Sequence, residues 1–367
     1  MAIIVESTGL VYRNPHPNLR AVHAWHPTVT KLENGELLCA FDLGQGCESM
    51  DYCTHLSRSR DEGRTWEAPY RFLPECSTRY ANTLARISTV ADGTVVAFGG
   101  YLYRDDPQKG FVNPENMGYT AMDLFLSRST DGGQTWESPH IINPPLVGPS
   151  WEICHAIVEL TDGRWLAPVS TWKGWNGEAP NGMKAVALVS YNRGQTWPDF
   201  LDVMDNYADG IVHFEQSLVQ LPDGRLLAVA WALEECTGKT LPTPYAISAD
   251  GHTFGTAQWT GFLAQTAKLV VLNDGRLLCL YRRHDRPGLW SNLVRLEGEK
   301  WINLEETLLW CGAESGMQGM RKPGVEMKEL RFGFPQMMIM PDGSVFAVFW
   351  CQEECVNNIR WIRLFVT

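Results

Sequence analysis

No stretch of the 367-residue chain stays apolar long enough to span a bilayer as a helix. None repeats its apolar residues with a helical period either. Basic residues are outnumbered, 31 against 42 acidic ones, giving a net charge of −11 at neutral pH. That balance argues against nucleic acid as a partner, and the interleaving of the two signs reads as a solubility feature. An acidic substrate stays open, because a local arginine can still hold a carboxylate. A Gly-rich phosphate loop, a GxSxG elbow, an HExxH pair and an EF-hand loop are all missing. No cofactor is therefore expected, and no ligand cluster for a metal stands out. The start, Met1 to Pro17, lacks the basic start, long apolar core and small-residue cleavage site of a signal peptide. The expectation is a soluble, cytoplasmic protein with no membrane partner.

Cysteine is not scarce, at ten residues, but Cys39, Cys279 and Cys351 lie in or next to apolar strands, where a free thiol packs as a small hydrophobe. Cys47 with Cys53, and Cys351 with Cys355, are close enough in sequence to pair. Neither pair has the flanks of a zinc knuckle, so reduced, structural cysteines are the expectation.

What the chain does have is a repeat. Six times an apolar strand runs into an Asp-Gly or Asn-Gly turn and returns as another apolar strand. The segments are HPTVTKLENGELLCAFD from His26, ARISTVADGTVVAFGG from Ala85 and HAIVELTDGRWLAPVS from His155. The other three are EQSLVQLPDGRLLAVAW from Glu215, TAKLVVLNDGRLLCLYRR from Thr266 and FPQMMIMPDGSVFAVFW from Phe334. Each reads as a hairpin whose turn pair tolerates positive φ. Units returning every few dozen residues imply stacked repeats, and six four-stranded blades of a β-propeller fit both spacing and length. The expectation is a single domain over residues 1–367. Residues 1–12 and Asn357 to Thr367 both read as strands, and pairing the first outside blade six closes the ring and removes two exposed edges.

Between the hairpins lies a second signal. SRSRDEGRTWEAP (Ser57 to Pro69) and SRSTDGGQTWESP (Ser127 to Pro139) are near copies. SYNRGQTWPD (Ser190 to Asp199) reads as a version one residue shorter, and SADGHTFG (Ser248 to Gly255) has Phe254 in place of the tryptophan. In Ser-x-Asp-x-Gly-x-Thr-Trp the carboxylate can accept the following backbone N–H groups, Gly supplies a left-handed residue and Trp buries a ring between blades. The fifth and sixth repeats lack the box, and Glu297 to Glu306 (EGEKWINLEE) keeps only the strand-turn-Trp outline.

Asp boxes phased with six hairpins resemble the sialidase superfamily of six-bladed propellers, over almost the whole chain. The resemblance implies that the boxes face away from the active site, while inner strands begin at it. Aligned on their turns, the hairpins place His26, Glu215 and Phe334 at one relative position, eight residues before the turn's Asp or Asn. HFEQSLVQLPDGRLL resembles the family segment whose glutamate activates the nucleophilic tyrosine, which makes Glu215 the leading functional residue. That tyrosine aligns with Phe334, which has no hydroxyl. The family's first arginine falls on Trp25 or His26 and its second near Trp231 to Glu235; Arg282 or Arg283, in YRRH (Tyr281 to His284), could supply the third. Asp51 falls in the loop where the family keeps its acid/base aspartate. His26 could serve as acid or base near neutral pH, and Glu152, His155 and His213 could reach the same face. Trp25, Trp151, Trp172, Trp175 and Trp231 lie near inner-strand ends, where an aromatic face can stack on a sugar. Glu215, His26 and Asp51 are thus the catalytic candidates, with Arg282, Arg283, Trp25, Glu152 and Trp231 toward the substrate. The activity expected is exo-acting hydrolysis of a terminal sugar, acidic sugars included, in a pocket that departs from the classical sialidase pattern. The alternatives are a lyase on uronic-acid glycans with a histidine base and a non-catalytic glycan-binding propeller.

Overall fold

A computed structural model describes residues 3–74, 79–283, 285–311, 331–353 and 355–367. Its strands form six antiparallel sheets arranged as the blades of a propeller. Blade one comprises His23–Lys31, Leu37–Gly44, Cys53–Ser59 and Tyr70–Arg71, ordered from the axis outward. Blades two, four and five repeat that order from Ala81–Thr89, Ile211–Gln220 and Gln265–Val271. In blade three the innermost position is divided between Ser150–Glu152 and Val158–Glu159, both pairing with Trp165–Trp172. Blade six runs outward from Phe332–Ile339 through Val345–Glu353 and Val356–Val366 to Ile3–Tyr12, so the N-terminal strand is its outer edge as the sequence predicted. Inner strands of blades one and six pack on each other and close the ring. Between blades the core is apolar, with Leu37, Leu38, Phe41, Phe98, Phe125 and Phe346 fully buried. Among the described residues no helix is long and apolar enough to cross a membrane.

The six hairpin turns differ in detail from expectation. Only the glycine is left-handed, with φ between 82° and 91° at Gly35, Gly93, Gly163, Gly224, Gly275 and Gly343. The preceding Asp or Asn keeps an ordinary φ, and its side chain accepts the N–H two residues on, as from Glu36 to Asn34 at 3.1 Å and from Ser344 to Asp342 at 3.0 Å. This side-chain turn stabilises the loop where a second left-handed residue would cost energy.

The boxes sit between the third and fourth strands of blades one to four, on the hairpin-turn face. Asp61 accepts from the Thr65 N–H at 2.8 Å and the Thr65 hydroxyl at 2.6 Å, while Ser59 Oγ accepts the Gly63 N–H at 2.8 Å. The third box is full length, with Asn192 in the aspartate's place and Thr196 N donating to it at 2.9 Å. The short one is the fourth, where His252 and Thr253 N–H both reach Asp250. Trp66 and Trp136 are half-buried, whereas Trp197 is fully covered. Blade five replaces its box with a tight hairpin at Gly298 between Gly288–Glu297 and Lys300–Trp310. The described cysteines are all free thiols, so neither near-neighbour pair is bridged.

Candidate functional site

The inner strands of blades one, four, five and six break their pairing at the same place. Register shifts fall between Trp25 and Thr28, Phe214 and Ser217, Gln265 and Lys268, and Gly333 and Gln336. Each is a bulge in which two residues oppose one, a device that re-aims a side chain. The first residue of each bulge is left-handed: His26 (φ 48°), Glu215 (φ 48°), Thr266 (φ 53°) and Phe334 (φ 51°). Such a backbone costs roughly 1–3 kcal/mol for a non-glycine residue and persists only where its surroundings enforce it. All four side chains line one cavity of about 330 Å³ on the face opposite the boxes. Blade two pairs without a break at the matching Leu84, so it sends no bulge residue there.

Phe334 is enclosed by cations. The Arg86 guanidinium lies 5.0 Å and the Lys268 ammonium 5.4 Å from its ring centroid, and the His26 ring meets it edge-on at 5.0 Å. An aromatic face is a favourable neighbour for a desolvated cation. Lys268 is buried and donates to Gln216 O at 2.8 Å and Cys154 Sγ at 3.3 Å. Glu215 Oε2 accepts from the Thr266 hydroxyl at 2.6 Å, and its own N–H donates to Glu152 Oε2 at 2.9 Å. Burial, reinforced by the neighbouring Glu215, pushes the Glu152 carboxyl up to about 7. The opposite wall is built on Asp42, a fully buried carboxylate in the second strand of blade one. It accepts from Thr54 Oγ1 at 2.5 Å, Arg86 Nη1 at 3.2 Å and the Tyr52 hydroxyl at 3.2 Å; that hydroxyl lies 2.7 Å from His26 Nδ1. Arginine lines the side between blades five and six. Arg282 donates to Gln265 Oε1 at 2.8 Å and Phe332 O at 3.1 Å, and Arg331 to Gln352 Oε1 at 2.5 Å.

Of the eight residues assigned from the sequence to catalysis or substrate, His26, Trp25, Glu215 and Arg282 line this cavity, and Glu152 lies behind Glu215. Three do not. Arg283 points to the other side of its strand, where it pairs with Glu306 at 2.6 Å and Asp285 at 2.8 Å, because successive strand residues alternate faces. Asp51 is exposed on a turn and accepts from Gln45 N at 3.2 Å, outside the cavity lining. Trp231 stacks on Phe214 at 4.5 Å in a cluster that also holds Trp172. Trp151 belongs to the core between blades, and the Lys109 ammonium lies 5.7 Å over the Trp175 ring. His213 is buried and His155 half-buried; desolvation, helped by Lys268 for His155, lowers them to about 4 and about 3. His284 lies outside the described residues. Sequence reasoning missed Asp42, Tyr52, Arg86, Lys268 and Arg331. Among the described residues no three His, Cys, Asp or Glu side chains gather as a metal would need.

Six four-stranded blades, box turns on one face and a cavity of bulge residues on the other define a sialidase-like propeller. The chain belongs to the BNR repeat-like domain family, whose model matches residues 10–347. No curated protein matches it. Among solved structures it is similar to a protein of unknown function from Dyadobacter fermentans, with 19% identity, a TM-score of 0.76 and coverage of 100% of this chain and 99% of that one. It is also similar to the NanB sialidase from Streptococcus pneumoniae, at 12% identity and a TM-score of 0.65, covering 98% and 70%. A leech intramolecular trans-sialidase complexed with 2,7-anhydro-Neu5Ac matches at 12% identity with a TM-score of 0.64, covering 99% and 70%. Likeness at these identities shows the shared fold.

Proposed function

We propose that the cavity is the active site of an exo-acting glycoside hydrolase for a terminal, acidic sugar. The observation that carries this reading is the meeting of Glu215 from blade four and His26 from blade one in one cavity whose wall includes Arg282. Cleaving a glycosidic bond needs a proton for the leaving oxygen and a group that activates the attacking water, set on two sides of the sugar. Glu215 and His26, from opposed blades, supply that pair. Arg282 and Arg331 suit a carboxylate on the sugar, and Trp25 gives the rim an aromatic face. Phe334 cannot form a tyrosyl adduct, so a standard fluorogenic sialoside should be a poor substrate. Efficient release of free sialic acid would contradict this.

A lyase acting on uronic-acid glycans is a second reading, favoured by the Tyr52 and Asp42 support behind a histidine base. A panel of aryl glycosides and acidic oligosaccharides, followed by reducing-end release and by ultraviolet absorbance, separates the readings. Saturated products lost on changing Glu215 support hydrolysis. Unsaturated products would replace it with the lyase, and binding without turnover with a glycan-binding propeller.

A further inference from the structure

We propose that His26 is the base of this cavity, positioned by Tyr52 and Asp42, which hold its ring proton on Nδ1 and leave Nε2 as a bare acceptor toward the ligand. The substrate in this inference rests on the proposed function; the proton's location does not.

Three contacts meet at one point. The Tyr52 hydroxyl lies 2.7 Å from His26 Nδ1 and 3.2 Å from Asp42 Oδ2, and Nδ1 itself is 3.4 Å from that same Oδ2. Burial alone would push the Asp42 carboxyl up, but the Arg86 guanidinium and the His26 and Thr54 hydrogen bonds outweigh it and hold the group below its ordinary value. Asp42 is therefore an acceptor only. Burial, with the charge of Asp42 beside it, pushes the Tyr52 hydroxyl well above its ordinary value, so the phenol keeps its one proton.

That proton has two places to go. Donated to His26, it leaves the phenol oxygen and Asp42 Oδ2 facing each other as acceptors, and Nδ1 facing Oδ2 likewise. Donated to Asp42, it makes every contact attractive: Nδ1–H donates to the Tyr52 oxygen and Tyr52 donates to Oδ2. A neutral imidazole protonated at Nδ1 carries its lone pair on Nε2. The Nδ1 edge is fixed in the wall against buried Asp42, while the His26 side chain stays 26% exposed, at the cavity. The edge-on Phe334 ring packs against it as well.

In the hydrolytic step Nε2 takes a proton from water as the water oxygen bonds to the anomeric carbon. The bond from that carbon to the leaving oxygen breaks, and the leaving oxygen takes a proton that Glu215 relays across the cavity from solvent. The imidazolium then gives its proton back to solvent, so the protons balance. During the step the buried Asp42 charge stabilises the imidazolium through Tyr52.

Nitrogen NMR of the resting protein, labelled in its histidine rings, tests the tautomer with no substrate present. The His26 signals, identified by their loss in His26→Gln, should show a protonated Nδ1 and a bare Nε2. Neutron diffraction from wild-type crystals reads the same proton without any variant. Tyr52→Phe should move part of the population to the Nε2–H form. On a substrate found by the panel it should lower kcat roughly tenfold or more with KM changed less than about twofold, the pattern of a lost orienting group. A resting His26 protonated on Nε2, or a Tyr52→Phe protein with wild-type tautomer and kcat, overturns the inference. If the panel yields no substrate, the proposed function falls and the tautomer alone decides this point.

Discussion

Glu152→Gln is expected to make the protein more stable than wild type above neutral pH and to change little in mild acid. The Glu152 carboxyl is buried. Burial and the neighbouring Glu215 push it from its ordinary 4.5 up to about 7, against the opposing pull of the Glu215 N–H and Lys268. A carboxyl whose pKa rises on folding favours the fold in its protonated form. Its contribution is complete below its ordinary 4.5 and is lost as the pH climbs through about 7. That interval corresponds to ~3 kcal/mol at most, a sizeable part of the ~5–15 kcal/mol that holds an ordinary domain together. Glutamine keeps an oxygen for the Glu215 N–H, now accepted at 2.9 Å, and removes the ionisation. Chemical-denaturation curves for both proteins at about pH 5 and about pH 8.5 measure the effect. Other titrations are common to both proteins and cancel in the difference. Wild type should lose about 1–3 kcal/mol more than the variant between the two conditions. Equal losses would refute the reasoning.

Acid should weaken the fold through His213. Burial lowers it to about 4, so its contribution is present above its ordinary 6.5 and is lost as the pH falls through about 4. His213→Gln should therefore lose less stability than wild type between about pH 7 and about pH 4.5, by up to ~3 kcal/mol, and parallel denaturation curves would contradict that. Asp61→Ala removes the acceptor for the Thr65 N–H and hydroxyl on the face opposite the cavity. It should cost ~1–2 kcal/mol in denaturant unfolding with unchanged glycan turnover, and a turnover defect in folded protein would show that the boxes reach the site.

The propeller was legible because each blade carries its own hairpin signal, and Gly35 and its five counterparts must be left-handed wherever the chain reverses. The bulge was half legible. Counting eight residues back from the turns of blades one, four, five and six finds His26, Glu215, Thr266 and Phe334, but not that their backbones are left-handed, since that conformation is imposed by packing and not by these residue types. Two residues further on, the same count reaches Arg86 in blade two and Lys268 in blade five, the one charged residue in each of those inner strands. Both are buried under Phe334, so that register was a usable signal. Asp51 stands in the loop where the resembled family keeps its acid/base aspartate, so the resemblance points to it and not to Asp42. Asp42 ends the apolar run LLCAFD, where its burial depends on Arg86 from the next blade, a pairing that no local pattern displays. Arg282 and Arg283 could not be told apart without knowing which face of the strand meets the axis.

Turnover and binding by Glu215→Gln, measured side by side on the best glycan from the panel, decide whether this cavity does chemistry. Glutamine retains the shape and an acceptor for the Thr266 hydroxyl, now bonded at 2.6 Å. Calorimetric affinity should stay within about threefold of wild type while kcat falls ~10²–10⁴-fold, the span of a lost acid/base group. Wild-type turnover in the variant, or a wild-type protein that binds the glycan and never cleaves it, would contradict the assignment.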